Sequence, residues 1–412
     1  MPACKIKSIK AREILDSKGM PTVEVDLFTE KGKFKASVPS GVSTGKLEAV
    51  ELRDGGKRYF GKGVLKAVNN VNKIIKPKIA NYNFKDQKDL DEFLIKLDGT
   101  KNKSHLGANA ILAVSIAVAR AFAALENLPL WKFISDISGK KPSLPKPCNL
   151  LLEGGLHGRG DLKIQEFMIF NNAPYLREQL RINTEIYHTL GKILIQKYGT
   201  GSNSVGLEGA FTPPINKAKD ALDIIMVAIK QAGYEGKVKI ILDVAASSFY
   251  KNGKYNFEKG TLTSEKLLEF YESLFIKYPI FAVEDPFSEE DWQGFKEIKK
   301  RFGKRITIIG DDLLVTNPER IKMAVKKDAC NGLILKPNQI GTVSEAIEAA
   351  KLAMKNNWKV FVKHRSGETC DTFIADLAVG LGNGFLMTGA PTRGERVAKY
   401  NRLLEIEEEI NS

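Results

Sequence analysis

Cysteine is scarce in this chain: Cys4, Cys148, Cys330 and Cys370 are the only four in 412 residues. None lies in a CxxC pair and their spacing matches no zinc pattern, so a disulfide scaffold and a zinc module are excluded. Reduced, mostly buried thiols of a cytoplasmic protein fit them. The amino terminus, MPACKIKSIKAREI, lacks the apolar core of a signal peptide. Long hydrophobic runs are missing too. The most apolar stretch, 108–125, is broken by Arg120 and is read as a buried helix, too short to cross a bilayer. The net charge of +14 comes without a dense basic block, because the lysines are spread along expected helix surfaces. It is read as a solvated basic surface, with no nucleic-acid motif and no membrane segment. There is no internal repeat and no low-complexity tract.

What is present describes an ordinary globular chain, 43% hydrophobic and 27% charged. Its length predicts two domains. Residues 1–40 read as a three-stranded meander, with strands at Ile6–Ile14, Thr22–Thr29 and Lys33–Pro39. The loop SGVSTG, 40–45, offers hydroxyls that could ligate a hard cation, or Thr44 as the cap of a following helix. Segments near Ala49 and over 63–79, 85–97 and 108–125 then suit helices, giving an α+β unit. Gly139, Pro142, Pro145 and Pro147 have linker character. The domains are therefore set at 1–135 and 136–412.

The second part is a succession of short apolar runs that end in charged residues. VKIILD ends in Asp243, IFAVE in Glu284, ITIIG is followed by Asp311 and Asp312, GLIL by Lys336, and KVFVK by His364, Arg365 and Ser366; the next run ends near Met387. Helix-like segments such as 317–327 and 342–356 separate them. Strand–helix units of this length predict an eight-stranded (β/α) barrel of TIM type, with its chemistry at the C-terminal strand ends. Lys336 has a bland reading, a lysine snorkelling beside a strand end, and a functional one. Its neighbours favour the second. Three carboxylates from successive strand ends repel unless a cation neutralises them, and an all-oxygen set suits magnesium. A lysine beside such a cation is a candidate general base. Arg365 can hold a phosphate bidentately. His157 lies in a glycine-rich loop ahead of Gln165 and Glu166, and Glu208 sits between Gly206 and Gly209 as a turn residue or a mobile acid. Metal, base and phosphate grip together imply proton abstraction next to a carboxylate.

The segments AREILDSKGMPTVEVDL, PSGVSTG, LGANAILAVSIAVARA, QEFMI, LDVAASSF, VEDPFSEEDW, GDDLLVTNP, LILKPNQIGT, KHRSGETCDTFIADLAVGL and KYNRLLEIEEE resemble the enolases, along essentially the whole chain. A lysine base working with magnesium is the pattern known for that superfamily. The resemblance implies magnesium-dependent dehydration of 2-phosphoglycerate to phosphoenolpyruvate, two magnesium ions per site, and a dimer or larger homo-oligomer. It implies that Asp243, Glu284 and Asp311 ligate the tighter magnesium and that the loop carrying Ser43 binds the second. Lys336 would take the carbon-2 proton, and Glu208 with Glu166 would help the carbon-3 hydroxyl leave. His157, Gln165 and His364 would touch substrate, and Arg365 with Ser366 would grip its phosphate.

Several positions depart from the family pattern. Met387 stands where a lysine usually holds the substrate carboxylate, Leu207 replaces an aspartate, Glu153 an asparagine and Lys363 a serine. Met387 and Leu207 keep open a second reading, an enolase-fold paralogue with weakened catalysis acting as a binding or structural protein. A third is an enzyme for another carboxylate. Without a lysine at 387, Lys336 is expected to lose a nearby like charge and to hold its proton more tightly.

Overall fold

The computed structural model describes residues 4–41, 45–80, 82–158, 160–258, 260–382 and 384–411. Ser43 and Thr44 lie outside the described residues. The amino-terminal part opens on an antiparallel meander of β1 (Ser8–Leu15), β2 (Pro21–Thr29) and β3 (Gly32–Ser37). A helical stretch over 65–79 follows, as expected for 63–79, and then come three longer helices, α1 (Gln87–Asp98), α2 (Ala108–Leu125) and α3 (Leu130–Ser138). The segment near Ala49, expected to be helical, is not. Its backbone instead bonds across the molecule, Ala49 N–H to Gln339 O and Val50 N–H to Asn102 O, so tertiary partners replace a helix.

The 18 residues of α2, with mean hydropathy 1.9, are long and apolar enough to cross a membrane, contrary to the expectation that they are too short; 83% of them are buried inside the fold. A helix apolar on all sides belongs in a core, and α2 packs on β2 and β3. Arg120, which breaks its apolar run, forks onto Asp371 at 2.8 and 2.7 Å and ties this layer to the rest of the chain. Arg120→Ala leaves Asp371 buried without its cation. Its denaturant midpoint should fall by the equivalent of about 3 kcal/mol, and an unchanged midpoint would show that the pair contributes nothing.

Eight of the other strands close into a barrel. They are β4 (Lys146–Glu153), β5 (Glu166–Asn171), β6 (Val238–Asp243), β7 (Ile280–Glu284), β8 (Thr307–Gly310), β9 (Gly332–Leu335), β10 (Lys359–Lys363) and β11 (Phe385–Met387). Helices separate successive strands from β5 onward: α4 (Leu176–Tyr198) and α5 (Ala218–Gln231), then α6 (Ser264–Lys277), α7 (Trp292–Phe302), α8 (Pro318–Lys327), α9 (Val343–Lys355) and α10 (Phe373–Leu381). The last helix is α11 (Gly394–Asn411). Asn317 and Thr342 cap α8 and α9 through the amides of Glu319 and Glu345.

One strand departs from a regular (β/α) barrel. β5 runs antiparallel to both β4 and β6. The described residues of its link from β4, within 154–165, form no helix, and a strand returning without a crossover must be antiparallel. The rim chemistry is therefore not confined to C-terminal strand ends. Glu166, at the start of β5, stands level with Glu153 at the end of β4 and Asp243 at the end of β6.

Candidate active site

Lys336 follows β9, and its backbone N–H is held by Thr316 Oγ1 at 2.9 Å. Its side chain is buried and its ammonium bonds Asp311 Oδ2; Gln339 Nε2 donates to the other Asp311 oxygen at 2.8 Å. Snorkelling to solvent is thereby excluded. Burial would lower the lysine, but the carboxylates around it, Asp311 first and then Glu284, together hold the ammonium above its usual range. Burial would raise Asp311, while Lys336 pulls it down to about 2. The direction expected for Lys336 is found, but for another reason: Asp311 raises it, and a like charge is present after all.

That charge is Lys363, at the end of β10. Its Nζ lies 2.7 Å from Asp243 Oδ2, 2.8 and 2.9 Å from the two oxygens of Glu284, and 3.0 Å from Glu166 Oε2. Burial opposes the charge, but Asp243, Glu166 and Glu284 together hold it well above the ordinary lysine range. Lys363 and Met387 are register partners on the adjacent parallel strands β10 and β11, so a lysine at one and a methionine at the other keeps a cation at the same level of the rim.

Asp243, Glu284 and Asp311 do reach one rim, but each of their oxygens already accepts from the protein. Asp243 Oδ1 takes the Ala245 amide at 3.0 Å, its Oδ2 and both Glu284 oxygens take Lys363, and Asp311 takes Lys336 and Gln339. The place between Asp243 and Glu284 therefore does not fit a divalent ion while Lys363 stands there. Among the described residues, two groups have ligand atoms within 4.8 Å of one another, as a cation needs: Asp285 with Asp311 and Asp312, and His157 with Glu166 and Glu208. Asp285, hidden in the sequence behind Glu284, also receives the amides of Asp311 and Asp312 at 2.9 and 2.8 Å and so shapes that loop.

The acid side is equally closed. His157 Nδ1 lies 3.5 Å from both Glu166 Oε1 and Glu208 Oε1, and its Nε2 lies 2.9 Å from Ser366 Oγ. His364 Nδ1 faces the Arg396 guanidinium at 2.5 Å, which can only donate, so its Nε2 carries the proton and points at Glu208 Oε2, 3.0 Å away. Burial presses His364 down to about 3, so it is neutral at pH 7. Burial also pushes Glu166 well above the carboxylate range. It would raise Glu208 as well, but the histidines and Arg396 facing that group hold it low. Within the pair the proton belongs to Glu166.

Glu153 explains its own presence. Its Oε1 accepts the backbone amides of Glu208 and Ala210 at 3.0 and 2.8 Å, anchoring the loop that carries Glu208. A Cβ at Gly206 would come within 2.4 Å of Glu153 Oε2 and 2.9 Å of the His157 carbonyl, so a side chain there would push against the loop. Gln165 Nε2 sits 3.5 Å from Asp243 Oδ2, a loose contact. Arg365 does form a fork, but onto Glu48, at 2.8 and 3.2 Å. Any phosphate it grips must share or displace that carboxylate. Arg396, fully buried, also donates to the carbonyls of Arg365, Ser366 and Leu207. Sequence reasoning missed Arg396, Glu48 and Asp285. Arg396, Lys399, Tyr400 and Leu403 share one face of α11 at helical spacing, which places two cations on a core face and was the available signal for Arg396.

Comparison with known proteins places these residues in a family. The chain matches the family models "Enolase, N-terminal domain" over residues 6–134 and "Enolase, C-terminal TIM barrel domain" over residues 141–412. It is 53% identical over 422 residues to an enolase of Mastigamoeba balamuthi, covering 99% of this chain and 96% of that protein. It is 51% identical to an enolase of Methanocaldococcus jannaschii, covering 98% of this chain and 96% of the relative. With a closed barrel, a buried strand-end lysine and matches along nearly its full length, the chain belongs to the enolase family.

Proposed function

We propose that the protein is a carbon–oxygen lyase, a phosphopyruvate hydratase that interconverts 2-phosphoglycerate and phosphoenolpyruvate in glycolysis and gluconeogenesis. The observation that carries this reading is the buried Lys336 next to an acidic cluster, on the same barrel as an acid pair turned towards two histidines. Lys336, once its proton is shed, takes the proton from carbon 2. Lys363 and Arg365 favour that loss by crowding it with positive charge. The Glu166–Glu208 pair gives a proton to the departing carbon-3 hydroxyl, with Glu166 holding it. Arg365 and Ser366 take the phosphate, while His157, Gln165 and His364 line the substrate. The resemblance implies two magnesium ions. The oxygen donors Asp285, Asp311 and Asp312 lie close enough to hold one once Lys336 and Gln339 release Asp311, and Ser43 lies outside the described residues. Bound magnesium supplies positive charge against the enolate. The same reading divides the chain into 1–135 and 136–412, puts it in the cytoplasm, which suits four free cysteines, and makes it a homodimer or larger homo-oligomer.

Purified protein with magnesium and 2-phosphoglycerate should develop the ultraviolet absorbance of phosphoenolpyruvate. A folded, magnesium-saturated sample that gives none would sink the reading. The alternative, a paralogue with weakened catalysis, rested on Met387 and Leu207, of which Met387 carries the lost positive charge. That side chain is fully buried, and Lys363 stands beside it in register. Met387→Lys would put a second ammonium next to Lys363, so it should give no gain in turnover and a lower melting temperature. A large gain would restore the alternative.

A further inference from the structure

We propose that the ammonium of Lys363 takes the place of one of the divalent cations, so that this chain binds one metal ion per subunit rather than two. The inference rests on the enolase reading above and refines its metal requirement. Three features carry it. The ammonium makes four contacts of 2.7–3.0 Å to Asp243, Glu284 and Glu166, from three different strands. Asp243 and Glu284 are carboxylates that would otherwise repel one another with no partner, and an internal cation meets that need permanently. Lys363 is also enclosed, its side chain only 3% exposed. To admit a dication it would have to leave its three acids, or remain beside a second cation in a buried site, and both are costly.

The rim keeps a second acidic group that Lys363 does not occupy. Asp285, Asp311 and Asp312 have ligand atoms close enough for one ion, which has to displace only Lys336 and Gln339 from Asp311. A count of one, not zero, is therefore expected.

The test is manganese binding by equilibrium dialysis, with 2-phosphoglycerate present, on the full-length wild type, Lys363→Ser and Lys363→Arg. Wild type and Lys363→Arg should each hold one manganese per subunit, and Lys363→Ser two. Two ions on the wild type, or no gain in Lys363→Ser, overturns the proposal. Should Lys363→Ser fold poorly without metal, its melting temperature should climb with manganese far more steeply than that of the wild type; equal slopes also overturn it. Phosphoenolpyruvate formation on the same wild-type sample separates the two levels. Activity with two ions bound removes only this proposal. One ion bound without activity removes only the functional reading.

Discussion

Lys336→Ala should form phosphoenolpyruvate about 10²–10⁴-fold more slowly than the wild type. No described side chain other than Lys336 combines a strand-end position beside the Asp285–Asp311–Asp312 group with a basic nitrogen bonded to one of its members. A structural role predicts something different. Removing the ammonium strands a buried Asp311, and breaking a buried pair costs about 3–5 kcal/mol. Stability will therefore fall as well, and the rate must be measured well below the variant's melting temperature. The discriminating readout is exchange of the carbon-2 proton with solvent. A base mutant loses that exchange together with turnover. A variant that is merely loosened keeps both in the same ratio at low temperature. Full exchange in folded Lys336→Ala would remove Lys336 from the role.

Glu208→Gln and Glu166→Gln should each slow dehydration by about 10²–10⁴-fold while carbon-2 proton exchange continues. The acid acts after the base, so the intermediate still forms and returns. Both carboxylates lie 3.5 Å from the same His157 nitrogen, and burial leaves the pair's proton on Glu166. Groups that work as one unit lose their effects together. The double variant should then be little slower than the worse single variant. Multiplying effects would mean that the two acids work at separate steps, and loss of exchange in either would place that acid with the base. Glu208→Gln also keeps the shape that Glu153 and His364 pack around, so its fold should survive.

The sequence was most readable where one strand end carries one charge. Asp243, Glu284, Asp311 and Lys336 each closed a short apolar run, and barrel geometry brought them to a common rim. The reversed β5 was not readable, because antiparallel return depends on what its preceding loop lacks, a helix, and the glycines of 154–160 do not give a direction. Lys363 was visible only as a departure from a family pattern. Nothing in KVFVKHRSG says which acids its side chain reaches, since three of them come from β5, β6 and β7. Glu48 was hidden similarly: it lies 317 residues from Arg365, and only the packing of the amino-terminal part on the barrel joins them. Helix boundaries were legible where caps exist, as at Asn317 and Thr342, and not near Ala49, where bonds to Gln339 and Asn102 decide the backbone.

The account stands most directly on the fate of one proton. Wild-type protein with magnesium and 2-phosphoglycerate in heavy water, followed by proton NMR, should lose the carbon-2 proton signal as the vinyl signals of phosphoenolpyruvate grow. In Lys336→Ala the carbon-2 signal should persist. A wild-type carbon-2 signal that stays intact, with no vinyl signals, would contradict the account.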